Sequence, residues 1–220
     1  MKFVVTAGPT REYLDPVRFL SNPSTGKMGF AVARAAAMRG HEVALVAGPV
    51  SLKTPKGVRR IDVTSAREML AAVERELLQQ APDTVFVSTA AVADWRPAKC
   101  AARKLKKGQM SDILKLVRNP DILKTVARRA KHQAPARAST IFVGFAAETN
   151  DVIAEARRKC HEKNLDMIVA NDVTEKGSGF GVDTNRVILV RKDGSVDRLP
   201  LMTKLAVARR IVRECEDLRP

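Results

Sequence analysis

LSNPSTGKMG, residues 20–29, lies between an apolar β-branched run, FVV (3–5), and an alanine-rich stretch over 27–40 that closes at Gly40. A strand feeding a helix through a polar turn is the opening unit of a parallel α/β fold. The turn resembles a phosphate loop at first sight. A Walker A loop would need glycine at Ser21 and a hydroxyl at Met28, and Gly26 with Gly29 lack the first glycine of a dinucleotide fingerprint. The segment can still hold an anion, because Asn22, Ser24, Thr25 and Gly26 precede a helix amino end.

Outward from this unit, short apolar runs recur at 43–47, 58–63, 84–88, 140–145, 166–170 and 186–190. Several are continuous rather than alternating, as in strands covered on both faces. Helical patterns separate them. Ser65 with Glu68 makes a capping box, Asn119-Pro120-Asp121 opens a helix, Thr149 or Asn150 caps the next to about Asn164, and Thr203 begins the last. The late runs around Asp193-Gly194 read as a hairpin. The pattern predicts one domain over residues 1–220: a Rossmann-like three-layer α/β fold, with a mostly parallel sheet and a small antiparallel hairpin extension. Ligands in such sheets bind beyond the strand carboxyl ends, at the switch in strand order.

Of the 220 residues 45% are hydrophobic, enough for a core without covalent staples. Cys100, Cys160 and Cys215 are far apart and odd in number, which favours a reducing compartment and no structural metal. The opening MKFVVTAGPT is too short in apolar residues for a leader core, and no run reaches membrane-span length. A cytoplasmic protein without a membrane partner is expected. The net charge of +15 (39 basic against 24 acidic residues) raises nucleic acid as a partner. The cations are spread, however, and aromatics amount to 4% without interleaving, so an anionic small molecule explains the charge equally well.

Chemistry is expected in four long polar loops: TAGPTREYLDPVRFLSNPSTGKMG after the first strand, STAAVADWRPAKCAARKLKKG after the fourth, GFAAETND after the fifth and ANDVTEKGSGFGVDTN after the sixth. RKLKKG (103–108) places four cations within five positions, a self-repelling run that a polyphosphate would neutralise. Lys159 and Lys163, four apart on one helical face, form a second cationic group. Asp94 emerges beyond AAVA, where it can accept from a base or sugar or cap a turn.

Taken together, TAGPTREYLDPVRFLSNPSTGKMGFA, AAVADWRP, KLKK, NPDIL, VGFAAETN, KNLDMIVANDV and GFGVDTN resemble phosphopantothenoylcysteine synthetase, in family order over nearly the whole chain. The resemblance implies a homodimer that ligates 4'-phosphopantothenate to L-cysteine through an acyl-nucleotide. CTP would be the co-substrate, with ATP the alternative, and Mg2+ or another divalent cation would accompany it. A flavin-dependent decarboxylase, fused or separate, would be the partner.

Carried over residue by residue, the resemblance puts Asn22 on the intermediate and Lys104 on the triphosphate. Ser88, Thr89, Ala90, Asp94, Pro120, Asp121, Ile122, Leu123, Phe145, Lys159 and Lys163 would bind the nucleotide, and Ser24, Thr25 and Gly26 would join Asn22 on the acid. No metal ligand is assigned. Of the competing classes, a nicotinamide oxidoreductase lacks both the glycine fingerprint and a Tyr-x-x-x-Lys pair, since Val17 stands four after Tyr13. No nucleic-acid partner is expected.

Overall fold

The structure, a computed structural model, describes residues 1–79, 83–106, 113–133 and 139–219. Fourteen strands and five helices are assigned among them. In chain order they are β1 (Lys2–Ala7), β2 (Arg11–Tyr13), β3 (Phe19–Ser21), α1 (Lys27–Met38), β4 (Glu42–Ala47), β5 (Arg59–Asp62), α2 (Ala66–Leu78), β6 (Asp83–Ser88), β7 (Trp95–Pro97), β8 (Leu116–Arg118), α3 (Ile122–Gln133), β9 (Ser139–Glu148), α4 (Val152–Glu162), β10 (Met167–Asp172), β11 (Thr184–Asn185), β12 (Ile188–Arg191), β13 (Val196–Arg198), β14 (Met202–Thr203) and α5 (Lys204–Asp217).

The main sheet runs β13-β12-β10-β9-β6-β1-β4-β5. The six strands from β10 to β5 are parallel, and β12 with β13 makes the antiparallel extension. Strand order reverses between β1 and β6, so the crevice favoured for ligands opens above this pair. Alternation within the strands feeds two cores. Phe3, Val5 and Ala7 with Val85 and Val87 face α1 and α5, whereas Val4, Phe86, Phe142 and Ile168 face α2, α3 and α4. This is the three-layer arrangement expected from continuous apolar runs.

The helix signals act as anticipated at most ends. Ser65 and Glu68 form the reciprocal capping box, Thr203 Oγ1 accepts from Ala206 N at 3.2 Å, and Asp121 Oδ1 accepts from Lys124 N at 2.9 Å. Two expectations change. The helix after β9 is not capped by Thr149 or Asn150: its N-cap is Asp151, left-handed at φ 45 and without a side-chain cap. Most of GFAAETND is not a loop, because β9 continues to Glu148, held by β10 through the pairs Ala146–Ala170 and Glu148–Asp172, which leaves 149–151 as the connection to α4. The two longest loops also contain structure: the first holds the antiparallel arm β2–β3, and the second holds β7, which pairs with β8 beyond it.

Candidate active site

Residues at the carboxyl ends of β1 and β6 build the floor. Gly26 is the N-cap of α1 in a left-handed conformation, φ 78, and supplies no side-chain cap. The first-turn amides of α1, which like those of any helix have no intrahelical partner, therefore gain none from the N-cap side chain, and Lys27, Met28 and Gly29 line the crevice at the positive end of the helix dipole. Gly29 lets this helix start sit directly on the sheet. A Cβ there would lie 2.4 Å from Thr89 Oγ1, 2.5 Å from Ala7 Cβ and 2.9 Å from Thr6 O. The loops beyond the two strands are cross-tied: Ala91 N donates to Gly8 O at 2.9 Å, and Asn22 Nδ2 donates to Ala91 O at 3.1 Å. Asn22 is thus drawn over the switch point by a backbone carbonyl of the neighbouring loop.

Two adjoining clefts open above this floor. The larger encloses about 730 Å³ and is lined by Asn22, Ser88, Ala90, Asp94, Pro120, Asp121, Ile122, Leu123, Phe145, Lys159 and Lys163, among others. The smaller, about 150 Å³, is lined by Ser24, Thr25, Gly26, Lys27, Thr89, Asn171, Asn185 and Lys204, among others. Ala90, Ala91, Phe145, Ala146, Ala147 and Phe180 border both. Four of these are alanines, so most of the shared wall presents backbone and methyl groups where the two clefts meet.

The cations in the clefts already have partners. Lys159 pairs with Glu148, and Lys163 Nζ lies 2.8 Å from Asp121 Oδ2. Lys27 Nζ donates to Asp183 Oδ1 at 2.8 Å, which holds that carboxyl below its ordinary range. An incoming anion would exchange with these carboxylates, and because the pairs are solvent-exposed in part, the exchange is inexpensive. Lys204 differs. It is 6% exposed, its Nζ donates to Gly179 O at 2.9 Å and to Val182 O, and burial, with Lys27 nearby, lowers its pKa. The rim beside Asp94 is braced by Asn119, whose Nδ2 donates to Ala93 O at 2.8 Å and whose N donates to Asp94 O at 2.8 Å.

The structure brings together every site residue expected from sequence but one, and divides them differently. Asn22, grouped in sequence with the acid-binding turn, lines the larger cleft, while Thr89 of the nucleotide set lines the smaller. Lys104 is the exception: it is exposed and lines neither cleft. Its neighbour Leu105 is tied instead to the β2–β3 turn, with Leu105 N donating to Asp15 Oδ2 at 3.2 Å and Leu105 O accepting from Arg18 Nη2 at 2.9 Å. Lys107 and Gly108 of the same run lie outside the described residues. Among the described residues no group of three or more His, Cys, Asp and Glu side chains could hold a metal, and no helix is long and apolar enough to cross a membrane.

Sequence reading missed Lys27, Lys204, Asn171, Asn185 and Phe180. A signal existed for the two lysines: each is the first residue of a helix, where the macrodipole disfavours a cation. The asparagines and Phe180 lie within ANDVTEKGSGFGVDTN, a segment marked only as a whole, where nothing local singles them out.

A family profile described as the DNA/pantothenate metabolism flavoprotein C-terminal domain matches residues 1–218. The coenzyme A biosynthesis bifunctional protein CoaBC of Bacillus subtilis (strain 168) is 50% identical over 212 residues, covering 96% of this chain and 50% of that protein. The CoaBC of Vibrio cholerae serotype O1 is 49% identical over 209 residues, covering 94% of this chain and 50% of that protein. The chain spans about half the length of these curated relatives. A crystal structure of the C-terminal domain of a CoaBC superposes with a TM-score of 0.80 at 41% identity, covering 99% of this chain and 94% of that one.

Proposed function

Because the chain belongs to the family of the DNA/pantothenate metabolism flavoprotein C-terminal domain, we propose that it is a ligase joining 4'-phosphopantothenate to L-cysteine through an acyl-cytidylate. The observation that carries this reading is the pair of clefts meeting at one wall, with Asn22 lining the larger and the start of α1, without a side-chain cap, lining the smaller. A two-substrate activation needs this layout: a nucleotide on one side, an acid on the other, and their reacting atoms at the boundary.

CTP occupies the larger cleft. Asp94 and the backbone at Ser88 and Ala90 receive the base and sugar, with Thr89 between them facing the smaller cleft, and Lys159 and Lys163 leave Glu148 and Asp121 for phosphate oxygens, with Pro120–Leu123 and Phe145 closing the pocket. The acid lies along Ser24, Thr25 and Gly26, its charge facing the α1 amides. A carboxylate oxygen of the acid attacks the α-phosphorus and the bond to the β-phosphate oxygen breaks, so pyrophosphate leaves with that electron pair. The cysteine amine then attacks the acyl carbon, CMP departs with the acyl oxygen, and the amine loses a proton. No protein nucleophile is needed, since the acid itself attacks. Asn22 orients the acyl-nucleotide from the cleft mouth.

Mg2+ would enter the larger cleft with the triphosphate, and Asp121, released as Lys163 turns to phosphate, is the lining carboxylate that would hold it. It would neutralise charge on the departing pyrophosphate. Lys104, remote from both clefts in one chain, reaches the triphosphate of a partner subunit, which makes the homodimer part of the reading. The setting is cytoplasmic, with a flavin-dependent decarboxylase, fused or separate, supplying the partner activity.

Pyrophosphate release is measured with 4'-phosphopantothenate and CTP or ATP, with and without cysteine. Release with CTP, including a first turnover without cysteine, is expected; no release with either nucleotide would end the proposal. Lys104→Gln should lose turnover with its melting temperature unchanged, and normal turnover would remove that residue from the triphosphate.

A further inference from the structure

Helices α1 and α5 both begin with a lysine and carry no acidic residue in the first turn. A cation at that end opposes the helix dipole, so each placement is unfavourable to the helix that bears it. Both lysines nevertheless converge on one strap, residues 177–183. Lys27 Nζ donates to Gly181 O at 2.8 Å and to Asp183, on the exposed side. Lys204 Nζ donates from the buried side to Gly179 O and Val182 O. Asn185 Oδ1 closes the base of the strap by accepting from Ser178 Oγ at 2.7 Å and from Gly179 N at 3.3 Å. Phe180, at the strap's apex, borders both clefts.

The two anchors are unequal. The carboxylate of Asp183 is 88% exposed, so its pair with Lys27 exchanges readily for a more strongly accepting phosphate oxygen. Of the Lys204 bonds, that to Gly179 O is buried and that to Val182 O partly so, and losing them would strand the buried ammonium and the Gly179 carbonyl. Burying an ammonium to hold a surface strap has no packing rationale, since an apolar helix start would serve stability better.

We propose that Lys204 is a positioning residue for the acid-substrate half of the site: it fixes the strap on which Lys27, a lining residue of the smaller cleft and not of the larger, exchanges Asp183 for the incoming anion. This rests on the ligase reading.

The test uses the full chain and Lys204→Met, which keeps length and removes the donors. KM values for 4'-phosphopantothenate and for CTP are measured separately by pyrophosphate release, and amide exchange is followed over 177–183. Loss of two charge-assisted hydrogen bonds should raise the acid KM about tenfold or more and speed strap exchange by a similar factor. The CTP KM and exchange in β1 and β6 should hold within about twofold. A merely structural role would move both KM values together, and that result, or unchanged strap exchange, overturns the proposal. Should Lys204→Met not fold, Lys204→Gln, which retains a donor, must show the same split at smaller size or the proposal is overturned. An inactive wild type would end the ligase reading instead, and strap exchange would still decide whether Lys204 is the anchor.

Discussion

Gly29→Ala tests whether the seat of α1 on the sheet sets the geometry of the cleft. The new methyl would stand 2.4 Å from Thr89 Oγ1, 2.5 Å from Ala7 Cβ and 2.9 Å from Thr6 O. Ordinary contact lies at about 3.5–4.0 Å. Thr89 can swing aside, at the loss of its hydrogen bond to Thr6 O, but Ala7 and Thr6 belong to β1, paired on both sides. The helix start must therefore lift by about 1 Å. Overpacking of this kind costs about 1–3 kcal/mol, and a lost hydrogen bond costs about 1 kcal/mol more. Helix propensity returns about 1 kcal/mol, leaving a net loss of about 1–3 kcal/mol by these terms. For a chain of this size that corresponds to a fall of roughly 2–12 °C in Tm. A 1 Å misplacement of positioning groups costs about 100-fold in turnover. Gly40→Ala is the control, because its φ of +81 strains alanine while nothing lies within 4 Å of the added methyl: Tm should fall and turnover should persist. A Gly29→Ala protein with Tm and pyrophosphate release equal to the parent would refute the argument.

Glu76 is 4% exposed and bonded to Lys2 and Arg59; burial raises its pKa, but Arg59 and then Lys2 outweigh it and hold the net value below the ordinary range. Its stabilisation is present above the unfolded carboxylate pKa and lost as pH falls through the folded one. Glu76→Gln should therefore cost about 3 kcal/mol at pH 7 and flatten the acid limb of Tm against pH; an unchanged limb would refute this. Asp15 is held well below its ordinary range by the Arg18 guanidinium, against burial and with the amides of Val17, Arg18 and Leu105. Its tether on Leu105 should then persist down to about pH 4, and Asp15→Asn should accelerate exchange at the Ala101 and Leu105 amides at any pH above that. Lys163→Met removes a half-exposed pair with Asp121, so stability should change by less than about 1 kcal/mol. The KM for CTP should nonetheless rise roughly 10- to 100-fold through a lost charge-assisted contact, and an unchanged KM would place the phosphates elsewhere.

The fold was legible because strands buried on both faces leave continuous apolar runs, as at 43–47 and 84–88, and both became β-strands of the central sheet. The caps at Ser65 and Thr203 were legible because their side chains act within three residues. The reading failed over most of GFAAETND, where polar and small residues of β9 are paired to β10 by backbone alone. It failed also at Asp151, whose left-handed backbone leaves its carboxylate without a capping bond. Side-chain pattern carries neither kind of information.

The site shows the same division. Asn22, Ser24 and Asp94 sit in loops where polar residues have no core role, so they could be marked from sequence. What sequence could not give is which of them share a cleft, since that follows from the crossing of β1 and β6 loops through Ala91. Lys27 and Lys204 were hidden for the opposite reason: each reads as an ordinary first-turn residue until the helix dipole is considered. Two helices that begin with cations, 177 residues apart by number (204 − 27), meet on one strap. A cation placed against a dipole is a local cost that folding alone does not require, so its repetition at one cleft marks that cleft as the place where charge is handled.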